Sequence, residues 1–198
     1  MEKTKIKAHS AVLIANVIFG LGVPVTKLLL DDWVSPMAYM ASRFIGATII
    51  FWLVSLFLPR EHVYPKDLLV IMAGGLLGFV ISLTLSAWAL NYTTPVYFSF
   101  IASLTPVATM ALAALFIGEK LSGRGVFGVI IGIVGTMLMV LMGWQGGSGS
   151  NDLLGIVLAL LSMLTWAGYL IITRSVSTKY SAVTQLKWIF LVATIAIL

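Results

Sequence analysis

Few residues in this chain could do chemistry, and those few do not cluster. There is no cysteine, so thiolate nucleophiles, disulfides and cysteine-based metal sites are excluded. His9 and His62 are the only histidines. Each stands beside charged residues without a surrounding carboxylate set, so no metal site is expected. No nucleophile–base pair or phosphate loop can be picked out, so neither an enzyme nor a cofactor is expected. What remains is recognition chemistry. Lys27 and Arg43 are cations inside apolar stretches, and Pro24 and Pro106 interrupt stretches of the same kind. Asn16, Phe19, Trp88, Tyr92, Ser99, Ser103, Trp166 and Tyr169 could line a cavity. Aromatic walls with a few polar contacts suit an amphiphilic small molecule. Trp88 and Tyr92 fit an interfacial aromatic belt equally well. A proline removes a backbone donor and frees a carbonyl. A kink is the plainer outcome at both prolines, but Pro106 follows Ser103, Leu104 and Thr105, so hydroxyls adjoin the freed carbonyl.

The elements that must position these groups follow from composition. The chain has 198 residues, of which 60% are hydrophobic and 10% charged, with a mean hydropathy of +1.08. A soluble domain carries about 25% charged residues to meet water. A cytosolic enzyme, a disordered tail and a nucleic-acid-binding domain are therefore excluded. Apolar runs occupy 11–30, 37–58, 68–90, 97–117, 126–142, 153–173 and 182–198. Each approaches the ~20 residues that cross a hydrocarbon core as a helix. None alternates with the period of a barrel strand. The fold class is an all-α polytopic membrane protein of about seven spanning helices.

Charge sets the orientation. With the N-terminus in the cytoplasm, the inner segments hold Lys3, Lys5, Lys7, Arg60, Lys66, Lys120, Arg124, Arg174 and Lys179, and Lys187 lies early in the seventh span. The outer connections 31–36, 91–95 and 143–152 hold no Lys or Arg. That asymmetry obeys the positive-inside rule. The N-terminal lysines mark orientation rather than a cleaved signal, because no small-residue cleavage site follows. Glu119, beside Lys120 at the inner boundary, suits a cap or salt bridge. No Asp or Glu lies in a hydrocarbon core, so no carboxylate proton relay is visible.

Small residues form stripes at helical spacing. Gly74, Gly78, Ser82 and Ser86 repeat on the third span, and Gly125, Gly128, Gly132 and Gly135 on the fifth. Such stripes let helices approach closely, so packing seams are expected. The segment 144–152 is Gly/Ser-rich and reads as a flexible outer linker. It separates residues 1–143, five helices, from residues 153–198, two helices. The sixth span echoes the first, with Phe19 laid on Trp166, Lys27 on Arg174, and Ser35–Pro36 on Ala182–Val183. Five spans precede the sixth, so the second copy enters upside down, as in transporter folds. A complete two-unit chain would have about 300 residues, about 100 more than the 198 present. The chain is then a truncated carrier, or a short form that pairs with a second copy or another subunit.

Three stretches carry a family resemblance. NVIFGLGVPVTK (16–27) resembles the opening helix of EamA-type proteins of the drug/metabolite transporter superfamily, and SPMAYMASRFIGA (35–47) resembles their second helix. The stretch 89–135 is the most specific, with Ala-Leu-x-Tyr, Ser-Leu-Thr-Pro, Gly-Glu-Lys-Leu and a glycine-rich helix. The resemblance implies a ten-helix inverted-repeat carrier, of a kind that usually exports amino acids or related metabolites across the inner membrane. Its partners would be the bilayer and a small metabolite, with no nucleic acid. The rival expectation is a non-transporting assembly or sensor protein, or an inactive fragment.

Overall fold

The structure is a computed structural model that describes residues 2–118, 123–143 and 149–198. Glu119, Lys120 and the first part of the linker, 144–148, lie outside the described residues. The helices are α1 (Glu2–Asp32), α2 (Pro36–Leu56), α3 (Pro65–Tyr92), α4 (Pro95–Ile117), α5 (Gly123–Gly143), α6 (Asp152–Ile172) and α7 (Ala182–Ile197). A single turn, Arg174–Ser177, precedes α7. These helices fall on the seven apolar runs. No strand occurs among the described residues.

Short polar caps start the helices. Ser35, Thr94, Asn151 and Ser181 each accept a backbone N–H three residues on. Pro36, Pro65 and Pro95 sit at the first helical position, where a missing N–H costs nothing. Gly118 ends α4 in the left-handed conformation, φ 71°. Two helices are irregular inside. Residues Leu76–Ser82 of α3 form a π-helical segment, a widening that often marks functional sites. α4 breaks at Leu104, whose N–H bonds Ile101 O at 3.0 Å. Pro106 leaves the carbonyl of Ala102 without its helical donor, and the Thr105 hydroxyl donates to it at 2.6 Å. The break is a kink whose freed carbonyl is satisfied within the helix.

From His9 onward α1, and also α2, α3, α4 and α6, are long and apolar enough to cross a membrane. α7 is a shorter apolar helix. Large apolar side chains such as Leu13, Ile18, Leu28, Phe57, Leu115 and Phe127 stand exposed on the outer faces, as lipid contact requires. The chain is a multi-pass helical membrane protein.

α3 is the hub. It packs against α6 along most of its length, against α7 and α2 on its other sides, and against α1 in its C-terminal half. α6 also covers both halves of α4, while α5 packs on α4. The core joins Met40 and Phe44 of α2, Ile71, Phe79 and Ala87 of α3, and Ile189 and Ala193 of α7.

Glycines decide how close the hub can come. A Cβ at Gly74 would overlap Thr173, and one at Gly78 would overlap the Tyr169 ring. Gly75 meets α7, where a Cβ would lie 3.3 Å from Ile189 Cα. The α3 stripe is thus a seam. The α5 stripe differs from expectation at two positions: a Cβ at Gly132 would lie 3.0 Å from Leu104 of α4, one at Gly128 or Gly135 would meet nothing within 4 Å, and Gly125 is half-buried. Of Gly128, Gly132 and Gly135, Gly132 alone meets a neighbour.

α2 and α7 run antiparallel. Trp52 meets Trp188 edge-on at 5.6 Å, Phe44 meets Phe190 at 6.3 Å, and the Thr48 and Thr194 hydroxyls bond at 2.8 Å. Both helices carry Phe-x-x-Ala-Thr-Ile, at 44–49 and 190–195, after a serine cap. The caps equate Ser35 with Ser181, one residue earlier than the sequence comparison placed it. In that register the bonded threonines, 146 residues apart, are counterparts.

The two ends of the bundle are tied differently. At the linker's end of the bundle, whose connections hold no Lys or Arg, Asn151 N donates to Tyr92 O at 3.1 Å, and Thr93 Oγ1 donates to Asp152 at 2.6 Å. The described end of the linker is therefore pinned rather than loose. At the opposite, basic end, Tyr180 OH donates to Asp67 at 2.8 Å and Lys179 pairs with Asp67 at 3.2 Å. Ser181 N donates to Glu61 at 3.0 Å. Hydrogen bonding to Thr184 and to Ser181 holds the Glu61 carboxyl below its ordinary range.

Gly78→Leu should destabilise the protein by about 1–3 kcal/mol through overpacking, whereas Gly128→Leu should leave thermal unfolding in detergent unchanged. A lowered Glu61 pKa means that its contribution is present above the unfolded value of about 4.3 and lost as pH falls through the folded value. Hydrogen exchange at Ser181, relative to the intrinsic rate, should accordingly accelerate as pH falls below the ordinary glutamate value. Glu61→Gln should remove that pH dependence.

Candidate ligand-binding site

The polar centre of the bundle is built by the π-helical turn of α3. Ser82 closes that segment, Ser86 follows one turn later on the same face, and Ser162 meets both from the middle of α6. Ser82 Oγ donates to Ser162 O at 2.8 Å and lies 3.2 Å from Ser162 Oγ. Ser86 Oγ and Ser162 Oγ are 2.6 Å apart. Each hydroxyl has one proton to give, and that of Ser82 is committed to the Ser162 carbonyl. If Ser86 donates to Ser162, its own lone pairs are left to accept. If Ser162 donates to Ser86, the Ser86 proton is left to give. Ser86 can therefore present either polarity to a neighbour.

That neighbour is a cavity. A space of about 200 Å³ lies between α1, α3, α4 and α6, against Ser82, Ser86 and Ser162, with Phe19, Phe98 and Trp166 as aromatic walls. A second space of about 290 Å³ shares Phe19, Leu83, Ser86 and Phe98 with it and widens between α1 and α2. It reaches Thr26, Tyr39 and Arg43, and the Thr26 and Tyr39 hydroxyls bond at 2.9 Å. No carboxylate lines either space. A third space of about 580 Å³ lies towards the basic end between α4 and α6, beside Thr105, Pro106, Thr109 and Arg174. The arrangement can hold an amphiphilic molecule with an apolar body and a few hydrogen-bonding groups.

The structure brings together Phe19, Arg43 and Trp166 of the residues singled out in the sequence. Pro106 lines the third space instead. Tyr169 packs edge-on against Phe79 at 5.5 Å and over Gly78, so it belongs to the seam. Asn16 is exposed and donates back to Val12 O at 2.9 Å. Ser103 does the same to Phe100 O at 2.6 Å, and Ser99 is exposed. Lys27 pairs with Asp31 at 2.7 Å near the end of α1. Trp88 and Tyr92 stack at 6.0 Å at the end of α3. Asn16, Lys27, Trp88, Tyr92, Ser99 and Ser103 line none of these three spaces. Sequence reasoning treated Ser82 and Ser86 as packing residues and passed over Ser162. Their four-residue spacing was legible; the serine facing them on another helix was not.

Comparison with known proteins agrees with this architecture. A WAT1-related protein of Arabidopsis thaliana is 29% identical over 180 residues, covering 80% of this chain and 46% of that protein. The "Uncharacterized transporter YvbV" of Bacillus subtilis is 27% identical over 165 residues, covering 81% of this chain and 52% of that protein. The "Uncharacterized transporter YetK" of the same organism is 24% identical over 92% of this chain and 56% of its own length. The chain thus spans about half the length of the curated relatives it matches. One solved structure shares the fold with a TM-score of 0.58 at 21% identity, over 90% of this chain and 65% of that one. The profile of the EamA-like transporter family matches residues 6–141, more than half of the sequence, and the chain belongs to that family.

Proposed function

We propose that the chain carries small amphiphilic metabolites, amino acids among them, across the inner membrane by alternating access, in the export direction. The observation that carries this reading is the hydroxyl-bearing cavity between α1, α3, α4 and α6, placed at mid-helix where an alternating-access site belongs. Two of its relatives, YvbV and YetK, are named as transporters. The matching caps and Phe-x-x-Ala-Thr-Ile segments of α2 and α7 support an inverted repeat, with a first unit at 1–143, a linker at 144–152 and a second unit from 153. The Thr48–Thr194 bond then lies on the pseudo-two-fold axis that relates the units. The basic residues gathered at one end support a cytoplasmic N-terminus.

Proteoliposomes holding the purified full chain and a panel of radiolabelled amino acids and their 2-oxo acids test the reading. Saturable flux of at least one compound is expected. Ser86→Leu, which fills the shared wall of the two cavities, should reduce that flux at least about tenfold, equivalent to about 1.4 kcal/mol, while the protein stays monodisperse. Flux no greater than in empty liposomes for every compound would defeat it.

A further inference from the structure

Three cations lie inside the apolar helices of the cavity region and its neighbours, and the protein treats them differently. Lys27 has Asp31 at 2.7 Å and approaches Asn91 O at 3.5 Å. Lys187 stands over the rings of Trp52 and Trp188, at 5.6 and 5.9 Å, with the Glu61 carboxylate in its electrostatic reach. Arg43 has no carboxylate, carbonyl or ring partner among the described residues, and it borders the mouth of the larger cavity. Arg43 stands exposed on a helix apolar enough to cross a membrane, where a cation is costly to keep unless something answers it. Its guanidinium is a planar fork shaped for a two-oxygen anion.

The rest of that cavity says what the anion is attached to. Phe19 and Phe98 line the path inward from Arg43, and Trp166 stands beyond them. The polar groups along the way are the neutral hydroxyls of Thr26, Tyr39 and Ser86. A positive group on the ligand would meet no carboxylate in either space. A ligand with an anionic head and an apolar or aromatic body matches at both ends, whereas an organic cation mismatches at both.

We infer that Arg43 is the anion anchor of the cavity and selects amphiphilic carboxylates, with the apolar body seated between Phe19, Phe98 and Trp166. The inference deepens the transport reading and rests on it only in taking the cavity as a ligand site. A phospholipid phosphate offers the same anionic oxygens, and the test separates the two sources.

Binding is measured by calorimetry on the full chain in phosphatidylcholine nanodiscs, with phenylacetate, phenylacetamide and phenethylammonium as probes. Phenylacetate should bind at least about tenfold tighter than the neutral amide and the cation. Arg43→Gln should abolish that preference and leave the amide affinity unchanged, and Arg43→Lys should retain most of it. Equal affinity for the three probes in the native chain would overturn the assignment, as would a preference that survives Arg43→Gln. So would loss of co-purified phosphatidylglycerol on Arg43→Gln with no change in phenylacetate binding, because lipid would then be the anion. If Arg43→Gln does not fold, the three-probe comparison on the native chain and Arg43→Lys decides. Charge preference without flux leaves the anchor standing and removes the transport reading; flux without charge preference does the reverse.

Discussion

Helices in a bilayer gain little by burying apolar side chains against one another, because lipid is equally apolar. The seam between α3 and α6 must therefore be held by closeness and by hydroxyl pairing. Gly74 and Gly78 leave room for Thr173 and Tyr169, and Ser82 and Ser86 bond Ser162 a turn or two further on. The same contact thus brings the backbones together and places a polar centre at mid-helix. Gly75, on another side of α3, lets α7 in against Ile189, so α7 and through it α2 are placed by the same short stretch. The π-helical turn Leu76–Ser82 contains Gly78 and Ser82, so the seam runs into the polar centre along the face that α3 turns to α6.

The polar groups sort by whether their own helix satisfies them. Asn16, Ser103 and Thr105 bond carbonyls of their own helices, which removes them from recognition. Lys27 and Lys187 are answered by a carboxylate or by aromatic rings. Ser86 pairs with Ser162 of another helix and keeps bonding capacity to spare, and the exposed Arg43 has no partner among the described residues; both border the cavities. Among the same residues Thr84 Oγ1 is buried without a partner and lines none of the three spaces, so an unanswered polar group points to a ligand only where a cavity adjoins it.

Much of the fold was legible because membrane helices obey length and hydropathy rules that act segment by segment. The seven apolar runs, the serine and proline starts of α2 and the seam at Gly74 and Gly78 all belong to that local level. The π-helical turn has no local signature, and both α6 and α7 pack against it. The α5 stripe failed as a seam at Gly128 and Gly135 because glycine spacing permits close approach without supplying a neighbour. Phe19 and Trp166 were found from their positions in the first and sixth spans, and they do share a cavity. Ser162 was missed because a single serine in an apolar helix carries no pattern, and its meaning comes from two residues about 80 positions away, as Ser82 shows.

The central claim is that the α3–α6 seam holds Ser86 at the wall of a cavity reached by polar solutes. The chain has no cysteine, so single cysteines can be placed without a background to remove. Labelling by a water-soluble methanethiosulfonate reagent, compared between Ser86→Cys and Ala89→Cys in intact membranes, is the most direct measurement. Ala89 is 0% exposed, packs in the core of α3 and lines none of the three spaces. Ready labelling is expected at position 86 and none at 89. Protection of both positions, or equal labelling of the two, would contradict it.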